Sequence, residues 1–138
     1  RGILSAELRP YGVSRVSMKG PDVLLPPKLA LMMALLFHEL ATNAAKYGAL
    51  SSSVGNLSIG WSLADARLYL EWRESGGPTI TAPVHRGFGT RLFSRALEHE
   101  ATFATTGLIC KLSFVLQESS PNIAPDVTGT QPKVLAAN

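Results

Sequence analysis

The stretch from Leu29 to Leu50, LALMMALLFHELATNAAKYGAL, constrains this chain more than any other. Its apolar residues recur at helical spacing, Pro26-Pro27 stand at its entry, and Gly48 marks its stop. At about 100° per residue, Leu29, Met33, Leu36, Leu40 and Tyr47 gather on one face, which is expected to dock on a core. Glu39, Asn43 and Lys46 fall at i, i+4 and i+7 and form a polar stripe beside that face. The stripe has two readings. It is the solvated edge of an amphipathic helix, or it is a metal–phosphate site. The second follows from chemistry: carboxylate and amide oxygens hold Mg²⁺, and a lysine balances phosphate charge.

Gly2 to Leu8 has weak helical character and ends at Pro10, as the tail of a connector from an upstream domain would. Val13 to Lys19 alternates and reads as a short strand, followed by a turn at Gly20-Pro21-Asp22 and a brief extended piece at Val23 to Leu25. Beyond the helix, Ser51-Ser52-Ser53 is a loop. Leu57 to Leu63 is a strand with Leu57, Ile59 and Trp61 on one face, and Ala64-Asp65-Ala66 makes a hairpin connection. Arg67 to Glu74 is a stronger strand, with Leu68, Leu70 and Trp72 inward, and it ends in Ser75-Gly76-Gly77-Pro78.

Thr79 to Arg86 has no period and reads as a surface loop. Thr90 to Glu100 reads as a second helix, Thr102 to Thr105 as a strand, and Leu108 to Leu116 as a strand with Leu108, Cys110, Leu112, Phe114 and Leu116 on one face. From Gln117 to Asn138, Ser, Pro, Gly and Thr dominate, and this tail is expected to be disordered. The resulting order predicts an α+β fold, a two-layer sandwich with helices on one face of a mixed, mostly antiparallel sheet. A doubly wound dinucleotide fold is disfavoured because strand–helix alternation breaks twice.

With 138 residues and 46% apolar content, the chain has the size of one domain, taken here as residues 13–116. Its net charge of +3 comes from scattered basic residues without a run, which disfavours nucleic acid. The single cysteine, Cys110, excludes an internal disulfide and reads as a buried strand thiol, so a reducing cytoplasm is expected. The apolar run from Leu29 to Phe37 is too short to span a bilayer, so no direct membrane contact is expected of this segment, although the parent chain is free to be anchored elsewhere.

Two glycine turns flank the aperiodic loop: Gly76-Gly77 ends a strand and Gly87-Phe88-Gly89 opens a helix. Glycines admit a ligand to backbone, and a helix start offers free N–H groups to phosphate. In that order, a polar helix stripe, a glycine turn, a loop and a second glycine turn can surround one nucleotide.

These residues resemble a known family. His38 to Leu50, HELATNAAKYGAL, is similar to the N box of the HWE group of bacterial sensor histidine kinases. Trp72-Arg73-Glu74 with the following GGP matches that group's W-x-E box, and Gly87-Phe88-Gly89-Thr90 matches its G2 box. LRPYG at Leu8 to Gly12 and KGPDVLL at Lys19 to Leu25 resemble the usual lead-in, so the likeness covers roughly residues 8 to 116.

The resemblance implies a Bergerat-type fold that binds ATP and Mg²⁺, as in GHKL ATPases. By similarity, Asn43 would coordinate Mg²⁺ and Glu39 would stand near the γ-phosphate, as an outer group of the metal or as the base that orients the attacking imidazole. Lys46 would contact phosphate. Glu74 would lie at the adenine, where relatives outside the group carry Asp, and Gly76 and Gly77 would let the base pack on backbone. Thr79 to Arg86 would be a short lid hinged at Gly87 and Gly89, beside Phe88 and Thr90, and Arg86 and Arg91 stand where a cation would meet phosphate oxygens. The implied reaction moves the γ-phosphoryl to a histidine on a separate dimerisation domain and onward to a response regulator. That acceptor is not among His38, His85 and His99: His38 belongs to the N box, and the other two read as surface residues. Two rival readings are a GHKL-type ATPase or serine-type protein kinase, and a degenerate nucleotide-pocket module used only for docking. Trp61 and Trp72 read as core residues.

Overall fold

The computed structural model describes residues 1–79, 98–104 and 106–116. Helix α1 (Gly2–Leu8), strand β1 (Val16–Lys19), helix α2 (Pro27–Lys46), strands β2 (Asn56–Ala64) and β3 (Arg67–Ser75), and strands β4 (Glu98–Ala104) and β5 (Gly107–Val115) follow in chain order. The strands form one sheet in the order β1-β2-β3-β5-β4. β1 runs parallel to β2, with Val16 opposite Leu57, and every other pair is antiparallel. Parallel neighbours need a long crossover, and α2 supplies it. The mixed, mostly antiparallel sheet with helices on one face is the sandwich expected from sequence.

The core is the layer between α2 and the sheet. Met33, Leu36, Phe37, Leu40, Ala41 and Ala44 of α2 face Leu57, Ile59 and Trp61 of β2, Leu68, Leu70 and Trp72 of β3, and Leu108, Cys110, Leu112 and Phe114 of β5. Each strand contributes alternate residues because successive side chains point to opposite faces. Leu4 and Leu8 of α1 join the same core, and His38 Nδ1 of α2 lies 2.9 Å from Glu7 Oε2 of α1.

Several expectations need correction. Tyr47 is 54% exposed and not part of the core face, because the helix ends at Lys46 and Tyr47 takes φ −132°, off the helical register. Ala49–Ser51 then forms a single 3₁₀ turn, so the α-helix does not reach Leu50. Leu29 is only partly buried, whereas Phe37, which the five-residue face omitted, is fully inside. The first strand starts at Val16 and not at Val13: in the parallel register, residues 13–15 would face 54–56, where β2 has barely begun, and they coil into a 3₁₀ turn instead.

The end of the expected second helix, residues 98–100, is the start of β4, so His99 stands on a strand. Glu98, Glu100 and Thr102 alternate with His99, Ala101 and Phe103, which is a strand period, and β5 offers Ser113, Lys111 and Ile109 as partners. The remainder of that predicted helix, the loop from Ile80 to Arg86, and the tail from Gln117 lie outside the described residues.

Asp65 and Ala66 form the two-residue loop between β2 and β3, with φ of +50° and +58°. Two positive φ values match the right-handed twist of a hairpin, and Leu116 N donates to Ala66 O at 2.9 Å. An alanine in this region is strained, since its Cβ crowds the next carbonyl. Ala66→Gly is therefore expected to raise stability by about 0.5–1 kcal/mol, the relief of strain less the added freedom of the unfolded chain. A urea titration checks this through a higher midpoint at unchanged slope.

Candidate functional site

The C-terminal end of α2 and the end of β3 meet in a cluster built almost wholly from backbone and one carboxylate. At the helix end, Asn43 O accepts from Tyr47 N at 2.8 Å and from Gly48 N at 3.1 Å, which uses two of the otherwise open donors. The chain then turns through Gly48, Ala49 and Leu50, all three buried. Trp72 and Glu74 lie two residues apart on β3 and so share its inner face. Trp72 Nε1 donates to Glu74 Oε1 at 3.0 Å, and Ala49 N donates to Glu74 Oε2 at 2.9 Å. Glu74 is the one charged side chain buried among the described residues, at 3% exposure. A buried carboxylate is tolerable only with donors, and these two N–H groups supply them.

Gly76 follows in the left-handed region at φ +70°, which turns the chain back toward the helix end. A Cβ on Gly77 would stand 2.7 Å from Ala49 Cα and 2.8 Å from Ala49 N. The first glycine turn is thus pressed directly against the exit of the helix that carries Glu39, Asn43 and Lys46. Glu39 and Asn43 are half-buried at the helix border, and Lys46 is exposed. Arg86, Gly87, Phe88, Gly89, Thr90 and Arg91 lie outside the described residues, as does His85.

Sequence reasoning treated Gly48 as a helix stop and Trp72 as core filling, and missed that both touch Glu74. The signal was present: Trp and Glu two residues apart on a strand share a face, and a polar tip on a buried tryptophan needs an acceptor. Trp61 is core as expected, with its Nε1 donating to Pro21 O at 2.7 Å.

An open hollow of about 780 Å³ lies elsewhere, on the sheet face away from α2. Its floor is the strand backbone at Gly60, flanked by Lys19, Tyr69, Glu71 and Lys111. It contains none of the residues that the sequence singled out. It lacks a buried charge, whereas the helix-end cluster has one, together with a close glycine approach, so the candidate site is assigned to the cluster.

Among the described residues no three His, Cys, Asp or Glu side chains group as a metal cage. The donor set on α2 is a carboxylate and an amide oxygen one turn apart. Hard oxygen donors in small number fit Mg²⁺, which keeps several waters and takes further oxygens from a phosphate substrate.

Cys110 lies on β5 opposite Trp72. Burial, and secondarily the nearby Glu74 charge, pushes its thiol up to about 11 from 9.0. The folded form binds its proton more tightly than the unfolded form. The associated stability is therefore complete below pH 9 and is lost as pH rises through 11, on the order of 2 kcal/mol in all. Denaturant titrations from pH 8 to 11 are expected to show that loss, and Cys110→Ala to flatten it.

No protein-family model matches the chain. It is 33% identical over 144 residues to the blue-light-activated histidine kinase of Brucella ovis, an alignment covering 95% of this chain and 29% of that protein. It is 36% identical over 128 residues to blue-light-activated histidine kinase 1 of Erythrobacter litoralis, covering 84% of this chain and 35% of the relative. The chain thus spans about a third of the length of these curated relatives. Among solved structures, the Erythrobacter litoralis EL346 blue-light activated histidine kinase superposes with a TM-score of 0.67 at 23% identity, over 83% of this chain and 40% of that one. Histidine kinase ThkA, solved in complex with the response regulator protein TrrA, superposes at 0.56 with 9% identity, over 84% of this chain and 38% of that one. At such identity the superpositions speak to the fold alone. No helix among the described residues is long and apolar enough to cross a membrane.

Proposed function

The chain belongs with the catalytic domains of histidine kinases, and from that premise we propose that it binds Mg·ATP where α2 meets the turn after β3. In this reading it belongs to the HWE group with its GHKL-type pocket. It presents the γ-phosphoryl to a histidine on a separate dimerisation domain of the same kinase, for relay to a response regulator. Residues 13–116 are the catalytic unit, with 1–12 as its lead-in, and the domain works on the cytoplasmic side.

The observation that carries this reading is the contact of Gly77 with Ala49. It puts a glycine turn, where a flat base can lie on bare backbone, at the end of the helix bearing an oxygen-donor pair and a lysine. The roles follow from chemistry. Asn43 and Glu39 would hold the metal, which neutralises charge on the phosphates when bound. Lys46 adds a compact positive charge for phosphate oxygens. Glu39 is also placed to orient an incoming imidazole by accepting its proton. Gly76 and Gly77 line the base, and Glu74 stands beside it. The cations Arg86 and Arg91, with Gly87, Phe88, Gly89 and Thr90, are assigned to the phosphate side by resemblance to the G2 box. With no acceptor histidine in the unit, the domain is expected to bind nucleotide without labelling itself.

Calorimetric titration with Mg·ADP tests the reading. The wild-type chain is expected to bind, and at tenfold excess over Kd to gain about 1.4 kcal/mol of stability. Asn43→Ala is expected to weaken binding about tenfold or more while leaving the fold intact, since alanine favours helix. Absence of binding at millimolar Mg·ADP would point to a docking module. Steady ATP hydrolysis abolished by Glu39→Ala would point to an ATPase.

A further inference from the structure

Gly48 has no conformational reason to be glycine. Its φ of −105° and ψ of −153° are extended backbone open to any residue. The reason is space: a Cβ there would run into Glu74 Oε2, with Glu74 Cδ and Ala44 Cα each at 3.0 Å. The carboxylate of Glu74 fills the volume that a side chain at position 48 would take. Nor does helix electrostatics hold it there, since the C-terminal end of a 20-residue helix repels an anion. What holds it is the pair of donors, Trp72 Nε1 from its own strand and Ala49 N from the helix exit.

We propose that Glu74 and Gly48 are a matched pair, and that Glu74, fixed by the Trp72 indole, is a positioning residue that locks the exit of α2 to the end of β3. This rests on the nucleotide reading above and deepens it. The lock sets the spacing between the Asn43–Lys46 stripe and the Gly76-Gly77 turn, so breaking it weakens nucleotide binding without removing a group that touches the ligand. Glu74 does this with both oxygens already engaged by protein donors and with 3% exposure, which is the position of a strut and not of a reader of the base. The pairing is specific in length. Aspartate, one methylene shorter, withdraws the carboxylate from the space beside Gly48 and cannot keep both donors.

Wild type, Gly48→Ala, Glu74→Asp and the double variant are compared by Mg·ADP affinity, melting temperature and the Trp72 indole N–H resonance. Trp72→Phe assigns that resonance against Trp61. In the wild type the resonance is expected far downfield and slow to exchange, as for a charge-assisted bond. Gly48→Ala is expected to cost about tenfold in affinity and to shift the resonance upfield, and Glu74→Asp to cost a few-fold. In the double variant, adding Gly48→Ala to Glu74→Asp costs almost nothing further, because the shortened acid has vacated the space. Effects that multiply would overturn the pairing. So would an indole resonance unmoved in Glu74→Asp, or a Glu74→Gln variant that melts like wild type but no longer prefers ADP to inosine diphosphate. If Gly48→Ala does not fold, Trp72→Phe and Glu74→Asp carry the test through resonance and affinity. If the wild type binds no nucleotide, the kinase reading fails by itself, and the lock is judged on the indole resonance and the melting cycle.

Discussion

The fold turns on a carboxylate that two elements hold from opposite sides. Glu74 takes one N–H from Trp72, on its own strand, and one from Ala49, just past the end of α2. An ionised group at this depth would be expelled or neutralised without them. With them it becomes the joint between the helix layer and the sheet layer at the edge where the backbone is barest. Around it, Gly48 and Gly77 leave no side chain to spare, and the contacts there are backbone against backbone. The apolar core between α2 and the sheet gives the domain its cohesion, but this joint decides how the helix end lies relative to the turn after β3.

That joint also explains where chemistry is to be sought. The hollow on the free sheet face is larger, but it is a flat, open feature floored by strand backbone and edged by solvated lysines and a glutamate already paired with Arg73. Phosphate recognition needs oxygen donors for a metal and a cation within reach of one another, next to a surface a base can press on. The border of α2 and the Gly76-Gly77 turn bring those together, and the free sheet face does not.

Much of this was legible in the sequence, for identifiable reasons. α2 showed because a long amphipathic run with prolines at its start has one solution. β2, β3 and β5 showed because Leu57, Ile59 and Trp61, then Leu68, Leu70 and Trp72, then Leu108, Cys110, Leu112 and Phe114 keep period two. The stripe Glu39, Asn43 and Lys46 could be listed by spacing alone, as could the glycine turn. What failed was where local pattern and tertiary register part company. Residues 13–15 alternate as a strand does but have no partner strand to pair with. Tyr47 continues the helical spacing on paper, but the helix has already ended. Residues 98–100 sit where a helical reading overran into a strand whose partner, β5, comes later in the chain. The Glu74 joint was invisible because it depends on Gly48 and Trp72 meeting across 24 residues, and spacing rules see only neighbours.

The most direct measurement follows amide chemical shifts of the ¹⁵N-labelled chain as Mg·ADP is added. The account predicts that the largest changes fall on residues 43–49 at the exit of α2 and on Ser75, Gly76 and Gly77. Changes centred instead on Lys19, Gly60 and Lys111, with the helix exit silent, would contradict it.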